Sequence, residues 1–116
     1  MTDLEMTKLC AEAMGLEYVF DGPEMLVRIG KARDAYTKKP LFNVLYDPLR
    51  DDAQAMALVK KFGLTVDPQE DKPPFTWRVV VSNDGDWNNQ IFAQGSDLNR
   101  AIVECVAKMQ AAKDHA

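Results

Sequence analysis

The chain has 116 residues and a formal net charge of −4, with 47% hydrophobic and 28% charged residues. This length predicts a single domain over residues 1–116. The composition is that of an ordinary globular protein with enough apolar residues for a core without metals or disulfides. The negative charge argues against direct electrostatic binding to nucleic acid, which needs a dense lysine and arginine surface.

No segment predicts targeting or membrane insertion. The first ten residues, "MTDLEMTKLC", lack the basic start and the apolar run of a signal peptide. No stretch approaches the ~20 apolar residues that span a bilayer. We therefore expect a cytoplasmic protein whose two cysteines, Cys10 and Cys105, are reduced thiols.

The first predicted element is a helix over residues 3–14. Thr2 and Glu5 have the spacing of a capping box, in which a side chain accepts a hydrogen bond from a free backbone amide at the start of a helix. An apolar stripe follows at helical spacing, formed by Met6, Leu9, Cys10 and Ala13. Gly15 stands where a left-handed residue would end the helix.

Short strands are predicted after this helix, separated by one segment of undecided structure. Residues 17–20 predict a first strand, residues 21–23 a turn, and the alternation of Met25, Val27 and Ile29 a second strand. Residues 31–40, "KARDAYTKKP", fit a loop, a turn of helix or an edge strand. Residues 41–45 predict a further strand.

Residues 46–64 predict the second helix. We expect Asp47 to cap it and Pro48 to occupy its first turn. Lys60 and Lys61 lie near the negative end of its dipole, and Gly63 supplies the stop.

The remaining sequence predicts a loop, a β-hairpin and a third helix. Residues 65–74, "TVDPQEDKPP", predict a polar loop, and residues 75–82, "FTWRVVVS", predict the strongest strand. A turn at residues 83–86 leads to a partner strand at residues 89–93. Ser96 or Asp97 then caps a helix that extends to residue 110.

These elements predict an α+β fold. A small antiparallel sheet of about four strands would have the three helices packed on it. The third helix carries an apolar stripe of Leu98, Ile102, Cys105 and Met109, and exposing all of it would leave a larger patch than soluble monomers usually show. We therefore expect that stripe to lie in the core.

Few residues suggest catalysis or cofactor binding. His115 is the one histidine and lies in the terminal tail, where nothing would position it for a catalytic triad or a metal site. Both cysteines lie on apolar helical faces, which is typical of inert thiols. No phosphate-binding glycine motif occurs. We expect no catalytic residue, no cofactor and no metal.

The loop between the last two predicted strands contains the candidate interface. Trp87 beside Asn88, with Asp84 and Asp86 next to them, suggests an exposed aromatic anchor for a protein contact. The alternative is that Trp87 packs over the edge of the sheet. The acidic residues do not complete a calcium-binding loop pattern, and a hairpin turn explains them better.

Three segments together resemble the phage ABA sandwich domain family: "MTDLEMTKLCAEAMG", "YDPLRDDAQAMALVKKFGL" and "DLNRAIVECVAKMQ". Members of that family are small phage and prophage proteins with a sheet between helices and no assigned activity. The resemblance implies an α/β/α sandwich, with the antiparallel sheet between the three helices, and a phage or prophage origin. It implies no site residues, and residues 20–42 lie outside it.

The first functional hypothesis is a non-enzymatic phage accessory protein that binds a host or phage protein, with inhibition of a host defence protein as one version. The second is a small enzyme or ligand-binding domain that uses carboxylates such as Asp47, Asp51 and Asp84. The third is a self-associating structural protein, a possible homodimer, in which a strand edge within residues 25–45 pairs across a two-fold axis.

Overall fold

A computed structural model describes residues 1–22, 26–30, 32–42, 44–69, 75–81 and 91–114. This part of the chain contains three helices: α1 (Asp3–Ala13), α2 (Asp52–Phe62) and α3 (Leu98–Asp114). It also contains eight strands: β1 (Tyr18–Asp21), β2 (Leu26–Ile29), β3 (Ala32–Arg33), β4 (Pro40–Leu41), β5 (Val44–Leu45), β6 (Thr65–Gln69), β7 (Thr76–Val81) and β8 (Ile91–Gly95).

The strands form antiparallel sheets, and the predicted α+β class is confirmed. One three-stranded sheet has the order β1-β2-β5 and another has the order β6-β7-β8, while β3 and β4 pair with each other. The sequence predicted about four strands in one sheet. The structure instead distributes its strands over two three-stranded sheets and a two-stranded pair.

Helix α1 forms as its capping signal predicts. The Thr2 side chain accepts a hydrogen bond from the backbone N–H of Glu5 at 3.1 Å, which satisfies one of the free amides of the first turn. Gly15 follows the helix with φ of +70°, the left-handed conformation that suits glycine. The local signals therefore define both ends of α1.

The predicted start of α2 is wrong by one turn. The cap is Asp51, whose carboxylate accepts from the backbone N–H of Gln54 at 3.1 Å, and not Asp47. The carbonyl of Asp47 instead accepts from the amides of Arg50 and Asp51, which closes a separate turn before the helix. At the other end, the predicted stop at Gly63 is confirmed, with φ of +60°.

The predicted loop at residues 65–74 is also wrong over its first half. Residues Thr65–Gln69 form β6, which pairs with β7 along its whole length. Pro68 cannot donate a backbone hydrogen bond, but prolines are tolerated in edge strands, and β6 has one neighbouring strand among the described residues. Residues 70–74 lie outside them.

The predicted hairpin of β7 and β8 has the expected antiparallel pairing, with Val79 opposite Ala93. Its connection, residues 82–90, lies outside the described residues. Helix α3 begins after Asp97, whose carboxylate accepts from the backbone N–H of Arg100. It continues to Asp114, four residues beyond the predicted end at residue 110.

Helix α3 is the centre of the core. It packs against α1 and α2 and against β7 and β8. The expected burial of Ile102, Cys105 and Met109 is confirmed, and Leu98 is partly buried against the same cluster. Burial extends well around the helix, because four further residues are also buried: Ala101, Val103, Val106 and Ala107. A helix that is apolar on most of its circumference is typical of a central position.

Candidate binding site

The segment that the sequence left undecided belongs to one long β-ribbon. Ile29 pairs with Val44, and Ala32 pairs with Leu41, so the same number of residues is skipped on each strand. The β2–β5 and β3–β4 pairs therefore keep the same antiparallel register on either side of residues 31 and 43, which lie outside the described residues. Residues 31–40 fit a loop, a turn of helix or an edge strand by sequence. The strand is the alternative that β3 and β4 form, near the two ends of the segment.

The far half of this ribbon projects beyond the sheet, and we call residues 32–41 the arm. Strand β1 pairs with β2 only as far as Tyr18, which lies opposite Ile29. Beyond this pair, β3 and β4 pair with each other alone among the described strands. A guanidinium nitrogen of Arg33 lies 2.9 Å from a carboxylate oxygen of Glu17, which ties the base of the arm to the body.

The turn at the end of the arm is held by its own hydrogen bonds. The carboxylate of Asp34 accepts from the backbone N–H groups of Tyr36 at 2.8 Å and Thr37 at 2.9 Å. The bonds from Thr37 and Tyr36 hold the pKa of Asp34 below its ordinary value, because they stabilise the charged form. Lys38 has φ of +60°, a conformation that costs a non-glycine residue about 1 kcal/mol.

The arm presents aromatic, basic and apolar side chains to solvent. Tyr36 is 94% exposed, and Leu41 is 42% exposed. Lys38 and Lys39 are exposed beside them. We call Tyr36, Lys38 and Lys39 the tip. It is locally positive on a chain whose net charge is negative.

A cleft lies near the other end of the same ribbon, with a volume of about 250 Å³. Its apolar lining includes four leucines, Leu4, Leu26, Leu45 and Leu49, and we call it the leucine cleft. Asp3 and Asp47 also line it. Each of these carboxylates pairs with an arginine at 2.9 Å: Asp3 with Arg100, and Asp47 with Arg50. The pairing with Asp47 raises the pKa of Arg50.

The interface predicted from the sequence lies outside the described residues. Trp87, Asn88, Asp84 and Asp86 all fall within residues 82–90, outside the described part of the chain, and His115 falls outside it as well. Their proposed roles therefore stay predictions.

The carboxylates considered for catalysis have structural partners where the structure describes them. Asp51 caps α2 through the amide of Gln54, and Asp47 pairs with Arg50. Asp84 lies outside the described residues. Within the ranges that the structure describes, no group of three or more histidine, cysteine or acidic side chains is arranged to hold a metal ion.

The two thiols are buried in the core as free cysteines. Burial raises the pKa of Cys10 to about 12 and that of Cys105 to about 11, because the apolar surroundings disfavour a thiolate. The Cys10 thiol donates to the carbonyl of Val103 at 3.5 Å. The expectation of inert packing thiols fits this environment.

Sequence reasoning did not identify Tyr36 as a candidate contact residue. The segment has no apolar periodicity, so it gave no secondary-structure signal. One local signal was present, since aspartate followed by polar residues is typical of a turn that its own side chain closes. A turn at Asp34 would have placed Tyr36 at its outermost point.

No helix within the described ranges has the length and apolar character needed to cross a membrane. Comparison of the chain with protein-family models, with curated proteins and with solved structures gave no match. The resemblance to the phage ABA sandwich domain family therefore stays a prediction.

Proposed function

We propose that this protein is a non-enzymatic phage or prophage accessory protein that acts in the host bacterial cytoplasm by binding another protein, of host or phage origin. The tip of the arm is its contact element. The observation that supports this proposal is the 94% exposure of Tyr36 on a projecting, internally hydrogen-bonded turn.

The exposure of Tyr36 favours a contact role over a packing role. A core residue stabilises the fold through the area it removes from water, and Tyr36 removes almost none. Tyrosine is also common at the energetic centres of protein interfaces, because it offers a large rigid area with few rotatable bonds. The bonds from Tyr36 and Thr37 to Asp34 hold the turn in place before any partner arrives, which lowers the entropy cost of binding.

The charge of the tip favours an acidic partner surface. Lys38 and Lys39 flank the tyrosine on one side and are both exposed. Complementary charge raises association rates and disfavours wrong partners. In one version of this proposal, the partner is a host defence protein that this chain inhibits or modulates.

Affinity capture with matched variants tests this function. The full chain and its Tyr36→Ala variant are immobilised and exposed to host lysate, with Phe92→Ala as control, because Phe92 is 45% exposed but lies in β8, outside the arm. We expect a discrete partner that the wild type and Phe92→Ala retain and Tyr36→Ala loses. Equal capture by all three chains, or no partner under conditions that retain micromolar complexes, would contradict the proposal.

A further inference from the structure

We propose that the tip of the arm in one copy of this chain binds in the leucine cleft of a second copy. This inference rests on the proposed function in one respect, since both use the tip as a contact element. It goes further by naming a second contact surface, the leucine cleft, and by naming its occupant.

The size and lining of the cleft suit a single large apolar side chain. Its volume of about 250 Å³ is below the range of roughly 300–1,000 Å³ that is typical of small-molecule pockets. Its four leucines would lie against an inserted aromatic ring. Tyr36 is the most exposed large side chain among the exposed apolar and aromatic residues of the described chain.

The charges around the two surfaces are complementary. A second hollow lies beside the leucine cleft and shares Leu45, Asp47 and Arg50 with it. Four carboxylates line the two together: Asp3, Asp47, Asp51 and Asp52. Two arginines, Arg50 and Arg100, pair with two of them. The balance of four negative and two positive groups leaves two negative charges. The turn of the arm carries Lys38, Lys39 and the Asp34 carboxylate, a balance of one positive charge.

Contact between the tip and the cleft has to be intermolecular. Lys39 closes the turn through its backbone bond with Asp34, and it lies six residues before Leu45 of the cleft. At about 3.3 Å per strand residue, this separation is roughly 20 Å along a paired ribbon. The tip therefore cannot fold back into its own cleft, and a second copy would compete with any other partner for the tip.

Sedimentation velocity with complementary variants tests this contact. Tyr36→Ala removes the aromatic side chain of the tip and keeps the cleft, whereas Leu45→Glu blocks the cleft and keeps the tip. Leu26→Glu serves as a second cleft variant. Leu45 and Leu26 are 43% and 39% exposed, so these variants should fold, and circular dichroism checks that they do. Phe92→Ala is the matched control.

We expect the wild type and Phe92→Ala to associate with rising concentration, and each tip or cleft variant alone to associate at least tenfold more weakly, as loss of an interface anchor would cause. An equimolar mixture of Tyr36→Ala and Leu45→Glu should regain association, because one intact tip meets one intact cleft. High salt should weaken the contact.

A wild type that stays monomeric at every concentration would overturn the self-association, as would a mixture that does not regain it. The proposed function is judged separately. Capture of a different protein that depends on Tyr36 would support that function even if the chain is monomeric, and capture of this chain alone would support the second copy while contradicting a host or phage partner.

Discussion

The replacement Ile102→Ala tests the central position of α3. Ile102 is 1% exposed and belongs to the cluster that joins all three helices to the sheets. Truncation of a buried isoleucine to alanine costs about 2–5 kcal/mol, from lost transfer free energy and from the cavity that remains. Packing on both sides of α3 restricts collapse around that cavity, so we expect a loss of at least ~3 kcal/mol. The melting temperature should fall by about 10 °C.

Urea unfolding followed by circular dichroism measures this loss. The matched control is Met56→Ala in α2, because Met56 is 44% exposed and alanine is a better helix former. We expect the control to change the free energy of unfolding by less than ~0.5 kcal/mol. A loss below ~1 kcal/mol for Ile102→Ala, or equal losses for the two variants, would refute the assignment of α3 as the centre of the core.

Three further predictions concern local groups. Cys10 and Cys105 should resist alkylation at neutral pH until the protein unfolds, because burial raises the pKa of each thiol above its ordinary value; rapid labelling of the native protein would contradict this. The pKa of Asp34 is lowered in the folded state, so the stabilisation from its loop hydrogen bonds should be fully present above its unfolded pKa of about 3.9 and should be lost as the pH falls through the lower pKa of the folded state. Nuclear magnetic resonance of the two loop amides measures this, and a midpoint above that value would count against the turn. Asp51→Ala should cost about 1 kcal/mol in urea unfolding through loss of the α2 cap, and Asp47→Ala should cost less; the reverse order would contradict the corrected start of α2.

The helices could be predicted from the sequence because their signals are local. Thr2 caps α1, and Gly63 ends α2 in the left-handed conformation. The choice between Asp47 and Asp51 as the cap of α2 could not be made in this way, since both are good capping residues. The side chain of Gln54 decides it, because it accepts from the amide of Asp47 and donates to the carbonyl of Leu45, contacts that depend on where the preceding strand lies.

The strands were harder to predict because their pairing is not local. Pro68 suggested a loop, and the edge position of β6 is what permits a proline there. The register of the outer half of the ribbon depends on the backbone pairing of Ala32 with Leu41, which no periodicity in residues 31–40 indicates. The candidate site was missed for the same reason, since the exposure of Tyr36 follows from the ribbon that carries it.

Photo-crosslinking inside the host cell tests most directly whether the tip is a contact element. A photoreactive phenylalanine analogue replaces Tyr36 in one chain and Phe92 in the other, and both chains are irradiated in cells. We expect a discrete protein adduct from position 36 and none from position 92. No adduct from position 36, or the same adducts from both positions, would contradict it.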